Sequence, residues 1–100
     1  MKYLLLGWIA TAVLGTPAWA NQALAQKKNC MACHTVDRKV VGPAYKDVAK
    51  KYTGQDVVVR LATKIRQGGS GAWGVIPMPA NPQVSETEAR DLATWVLSLK

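Results

Sequence analysis

The chain has 100 residues, 49% of them hydrophobic, with 13 Lys and Arg against 6 Asp and Glu for a net charge of +7. A chain of this length makes at most one domain, and two cysteines with a single histidine are too few for a four-ligand Cys/His zinc site. The lysines occur in short pairs rather than long runs, so the excess charge points to acidic protein surfaces and away from nucleic acid.

The first twenty residues read as a secretory leader. Met1-Lys2 is a short basic start, and residues 3–14 form an apolar run broken only by Gly7 and Thr11. Pro17 then breaks any helix, and Ala18-Trp19-Ala20 supplies the small-x-small pattern of a signal peptidase site. The run is too short for the roughly 20 residues of a membrane-spanning helix. Cleavage after Ala20 predicts residues 1–20 as a removed signal peptide and 21–100 as the mature domain, carrying a net charge of +6 once Lys2 is lost. The destination outside the cytoplasm is the periplasm of a bacterium, without stable membrane insertion.

The pattern of the remaining 80 residues predicts four short helices, no convincing strand, and so an all-α architecture. The first helix covers about 22–29 and ends at the cysteines. Residues 35–42 read as loop, and Pro43 suits the first turn of a second helix over 44–52, with Lys46, Lys50 and Lys51 on its wet face. A third helix over 56–67 carries Val57, Val58, Leu61 and Ile65 at helical spacing; Val57-Val58-Val59 favours a strand but is too short to override that pattern. Residues 68–84 hold four glycines and three prolines and read as loop. Ser85 with Glu88 three residues on forms the reciprocal capping pair of the last helix, whose buried stripe is Leu92, Trp95, Val96 and Leu99.

Chemistry concentrates in Cys30-Met31-Ala32-Cys33-His34. Two thiols two residues apart can add to the two vinyl groups along one side of a haem, and the histidine that follows is then placed to coordinate the iron. A disulfide between these cysteines would close too small a loop to stabilise much, and a thioredoxin-like pair needs a parallel sheet that the pattern lacks. The second axial ligand follows by elimination. There is no second histidine, Met1 leaves with the leader, and Met31 lies between the attachment cysteines. Met78 remains, in Ile76-Pro77-Met78-Pro79, where two prolines stiffen the backbone around a soft, neutral sulfur that raises the reduction potential. An open position, Lys64 or Asn81 are the alternatives. A mature chain of this size with no Phe also has little apolar mass, so a largely apolar haem would form the middle of its core.

With Val41-Gly42-Pro43-Ala44-Tyr45-Lys46-Asp47-Val48-Ala49, Trp73-Gly74-Val75-Ile76-Pro77-Met78-Pro79 and Leu92-Ala93-Thr94-Trp95-Val96-Leu97 added in order, the mature chain resembles the small bacterial class I cytochromes c of the c-551/c-552 type. That resemblance implies four helices around one covalent haem c, low-spin His/Met-ligated iron, and a soluble monomeric one-electron carrier that is not an enzyme. Its implied partners are acidic redox proteins: a donor such as a quinol-oxidising complex, and an acceptor such as a nitrite reductase or terminal oxidase. It also implies that the Pro43 carbonyl accepts the free ring N–H of His34, that Trp73 donates to a haem propionate, that Lys64 contacts a propionate, and that the Asn81 amide bonds the Met78 sulfur. Lysines 28, 39, 46, 50 and 51 are the candidates for steering a partner. The competing function is a haem protein that binds or senses a small gas by displacing Met78.

Overall fold

The structure, a computed structural model, describes residues 18–100. The expected leader lies outside the described residues except for Ala18–Ala20, whose backbone opens the first helix. That helix, α1, spans Ala18–Lys27, and a single 3-10 turn, Cys30–Ala32, follows it. Three more helices complete the frame: α2 over Tyr45–Lys51, α3 over Val58–Gln67 and α4 over Glu86–Ser98. α4 is the hub, because α1, α2 and α3 all pack against it.

Each boundary has a local cause. Past the end of α1 at Lys27, Asn29 caps the 3-10 turn in the left-handed backbone (φ 64°) that Asn tolerates better than most side chains. α2 has no side-chain cap; its first amides, from Tyr45 and Lys46, donate instead to the carbonyls of Thr35 and Val36 at 2.9 and 3.1 Å. The helix therefore starts one residue later than expected, with Ala44 as N-cap, and Pro43 stands before it rather than in its first turn. α3 begins at Val58 with Val57 as its N-cap, so the valine run opens a helix. α4 carries the capping box in full: Glu88 N–H donates to Ser85 Oγ at 3.1 Å and Ser85 N–H to Glu88 Oε1 at 2.9 Å.

The stretch expected to be loop contains a small antiparallel ribbon, β1 over Gly69–Gly71 and β2 over Gly74–Met78, pairing Gly69 with Met78 and Gly71 with Gly74. Its period-2 pattern is hidden because the ribbon is largely exposed on both faces. Gly68 joins it to α3 at φ 75°, and a Cβ there would lie 2.5 Å from the Met78 carbonyl oxygen and 2.8 Å from Ala80 N. Only glycine lets the returning chain pass this close.

Ala25, Val48, Tyr52, Val57, Ala62, Val84, Ala89, Leu92, Trp95 and Val96 form the core, and no polar or charged residue is buried among the described residues. Val84 is the largest of the described side chains that is completely buried. Leu61 and Ile65 of the α3 stripe stay half-buried and face a cleft instead.

Candidate functional site

The 3-10 turn sets up the cysteine-histidine motif. Cys33 and His34 both donate their backbone N–H to the Cys30 carbonyl, at 3.2 and 3.1 Å, which curls the five residues into one turn. The loop that follows folds back over it, with Gly42 N–H donating to the Cys33 carbonyl at 2.7 Å and His34 bridging to Lys39.

Three contacts confine the His34 ring. Its Nδ1 lies 2.8 Å from the Pro43 carbonyl oxygen, so the N–H tautomer at Nδ1 donates there and Nε2 is the nitrogen left for another partner. Gly42 passes so close that a Cβ would stand 2.7 Å from Nδ1 and 2.9 Å from Nε2. Tyr45 stacks on the ring with centroids 5.0 Å apart and planes 20° from parallel.

His34 opens onto a cleft of about 1300 Å³, part of it continuous with solvent. Of the residues expected at the site, Cys33, His34, Pro43, Lys64, Trp73 and Met78 all line it. Apolar side chains of all three later helices join them: Val48 from α2, Leu61 and Ile65 from α3, and Ala93 and Val96 from α4. Cys30 lies one turn back, half-buried against the core, where burial pushes its thiol pKa up. Burial likewise raises the Tyr45 phenol, and the neighbouring thiol groups add to the effect.

Asn81 stands apart from the other expected site residues. It does not line the cleft, and its Nδ2 donates to the carbonyls of Ile65 at 3.0 Å and Pro79 at 3.2 Å while its Oδ1 accepts from Gln83. Both amide hydrogens thus meet backbone carbonyls, and Asn81 ties the segment after Met78 to α3. Lys64 packs against Gly69, where a Cβ would meet its Nζ at 2.9 Å. Trp73 is 42% exposed, with Lys51 Nζ 4.5 Å above its ring; the same ammonium donates to the Ala72 carbonyl at 2.8 Å. Lys51, exposed as expected on the wet face of α2, also holds the ribbon turn to that helix. Lys46 pairs with Asp37 at 2.7 Å and Lys28 with Glu88 at 3.4 Å, whereas Lys39 has no ion-pair partner among the described residues.

Sequence reasoning assigned no role to Gly42 or Tyr45. The signal available was their position immediately around Pro43, within reach of the motif only once the 35–42 loop folds back.

These residues suit a large apolar cofactor with a metal centre better than a bare ion. Among the described residues, no three of His, Cys, Asp and Glu come together, so an ion alone would find too few ligands. A macrocycle that brings its own nitrogens needs only the two axial donors the cleft offers, an imidazole and a thioether. The apolar walls suit its rings, and Lys64 suits an acidic edge.

Comparison with known proteins bears on the same residues. A family model described as Cytochrome c matches residues 20–100. The chain is 54% identical to cytochrome c-552 of Hydrogenobacter thermophilus over 102 aligned residues, covering 100% of both chains. It is 51% identical to cytochrome c-551 of Pseudomonas aeruginosa, covering 98% of this chain and 97% of that one. The crystal structure of wild-type Nitrosomonas europaea cytochrome c552 superposes with a TM-score of 0.76 at 55% identity, covering 79% of this chain and 99% of that one.

Proposed function

The chain belongs to the cytochrome c family and carries one covalent haem c, and from that premise we propose that it is a soluble periplasmic one-electron carrier and not an enzyme. The observation that carries this reading is the pairing of His34, anchored at Nδ1 by the Pro43 carbonyl, with Met78 on one apolar cleft. In this reading Cys30 and Cys33 would hold the haem as thioethers, and His34 Nε2 and the Met78 sulfur would ligate its iron. The haem supplies an iron centre that takes up and gives back one electron.

The chain's own residues do the rest. The Pro43 carbonyl raises the basicity of His34 and sets its direction. β2 and the prolines on either side of Met78 hold the weak thioether in place, and that neutral, soft donor favours the reduced state. Val48, Leu61, Ile65, Ala93 and Val96 line the cleft and would keep water from the bound haem. With His34 and Met78 both ligating, a substrate would find no open place on the metal. Lys64 and Trp73 stand on the cleft as the candidate partners of the propionates.

The partners are acidic redox proteins: a donor such as a quinol-oxidising complex, and an acceptor such as a nitrite reductase or terminal oxidase. The mature charge of +6 supports that sign of partner. Export is supported by the leader-like start. Among the described residues no helix is long and apolar enough to cross a membrane.

A redox titration of the purified exported protein, followed by absorption, tests the reading. A single reversible one-electron wave is expected, together with the weak charge-transfer absorption of sulfur-ligated ferric haem. Met78→Ala should keep the haem attached and abolish that absorption; its survival in the variant would refute Met78 as ligand.

A further inference from the structure

A hydrogen bond at Nδ1 fixes where one atom of the His34 ring points, but it leaves the ring free to rock about that bond, since the torsion of an imidazole on its Cβ is broad and soft. A flat group against the ring face restricts the remaining motion. Tyr45 provides that group, 5.0 Å between centroids and 20° from parallel. It is itself immobilised: only 7% exposed, it is met edge-on by Trp95 at 5.4 Å and 70°, and Trp95 is 4% exposed within α4. A line of three rings thus runs from the hub helix, through the first residue of α2, to the imidazole.

We propose that Tyr45, braced by Trp95, is a positioning residue that fixes the plane of the His34 imidazole, and hence the orientation of the axial ligand on the iron. The inference rests on the reading of His34 as that ligand. Gly42 and Pro43 leave the face of the ring to Tyr45, and the stacked and edge-on geometries are those that aromatic pairs favour. The consequence is electronic as well as mechanical, because the plane of an axial imidazole decides how its π orbitals mix with the two nearly degenerate iron orbitals. That mixing spreads the four haem methyl resonances of low-spin ferric haem.

The experiment uses the exported holoprotein in three variants, Tyr45→Phe, Tyr45→Leu and Trp95→Phe, and reads the methyl resonances and the exchange of the His34 Nδ1 proton. An aromatic pair contributes enough that losing its face should speed Nδ1–H exchange about two- to tenfold, measured against the core amides of α4 to separate local release from global unfolding. Tyr45→Phe keeps the face and is expected to retain the wild-type methyl pattern and exchange rate. Tyr45→Leu is expected to change both. Trp95→Phe, which leaves every direct contact of His34 in place, is expected to shift both in the same direction by less, and it decides the matter if Tyr45→Leu fails to mature. The proposal is overturned if the leucine and Trp95→Phe variants melt lower but keep the wild-type methyl pattern, or if Tyr45→Phe changes that pattern as much as the leucine does. Loss of low-spin His/Met character in the wild-type spectrum would instead refute the ligand reading beneath it.

Discussion

Replacing Gly42 with alanine places a methyl carbon 2.7 Å from His34 Nδ1 and 2.9 Å from Nε2, where ordinary contact begins at 3.4 Å. Cε1 of the ring would be closer still, so the ring must retreat by about 1 Å, and it has nowhere free to go. Tyr45 closes one face, and moving away from Gly42 threatens the 2.8 Å bond to the Pro43 carbonyl, which is no longer a hydrogen bond once lengthened by about 1 Å. Gly42 is not one of the glycines with positive φ, so the backbone accepts alanine and the effect is steric alone. Overpacking of this kind costs about 1–3 kcal/mol, and loss of the hydrogen bond about 0.5–1.5 kcal/mol more. Together that is about 2–4 kcal/mol, or a drop in Tm of roughly 10–30 °C for a domain of this size. Thermal unfolding of the Gly42→Ala holoprotein, monitored by circular dichroism with haem absorption alongside, measures it. An unchanged melt together with an unchanged ferric spectrum would refute the claim that Gly42 is a glycine for the sake of the histidine.

Three further outcomes follow from the same contacts. A Cys30→Ser, Cys33→Ser chain should show no cooperative, native-like melt, because Val84 is the largest described side chain completely buried and the cleft walls would lack their filling; a sharp melt would refute the haem as core. Electron transfer to an acidic acceptor should slow as salt shortens the Debye length from ~30 Å at 0.01 M to ~10 Å at 0.1 M. In a stopped-flow salt series, Lys39→Glu should flatten that slope more than Lys46→Glu, since Asp37 already partly neutralises Lys46; a rate indifferent to salt would mean that the charge does not steer. The Ser85 amide, and then Lys28, hold the Glu88 carboxyl below the usual carboxylate range. The cap's contribution is therefore complete above the ordinary carboxylate pKa and is lost as pH falls through the lowered one. Glu88→Gln should shrink the difference in Tm between neutral and acid pH, and an unaltered pH profile would count against the linkage.

Much of this protein is legible in its amino-acid sequence. The Cys30–His34 spacing is local, and local spacing dictates a turn; Ser85 with Glu88 is a pair of short-range hydrogen bonds, and it caps α4 as written. The apolar stripe of α3 was visible too, because helical periodicity survives whatever the helix packs against. By contrast, the fates of Asn81, Lys51 and Pro43 turn on partners far along the chain or on the exact residue where a helix starts. Asn81 is claimed by the carbonyl of Ile65 sixteen residues earlier, and Lys51 by Ala72 and Trp73 more than twenty residues on. The β1–β2 ribbon went unseen because its strands are exposed and glycine-rich, so no buried face imprinted an alternation on the residues. What tertiary structure alone decided is the enclosure of His34: Gly42, Pro43 and Tyr45 confine the ring only because the 35–42 loop folds back and α2 borrows that loop's carbonyls for its first amides. Short-range chemistry names the groups that can react; which faces of them are held, and by what, is settled where distant segments of the chain meet.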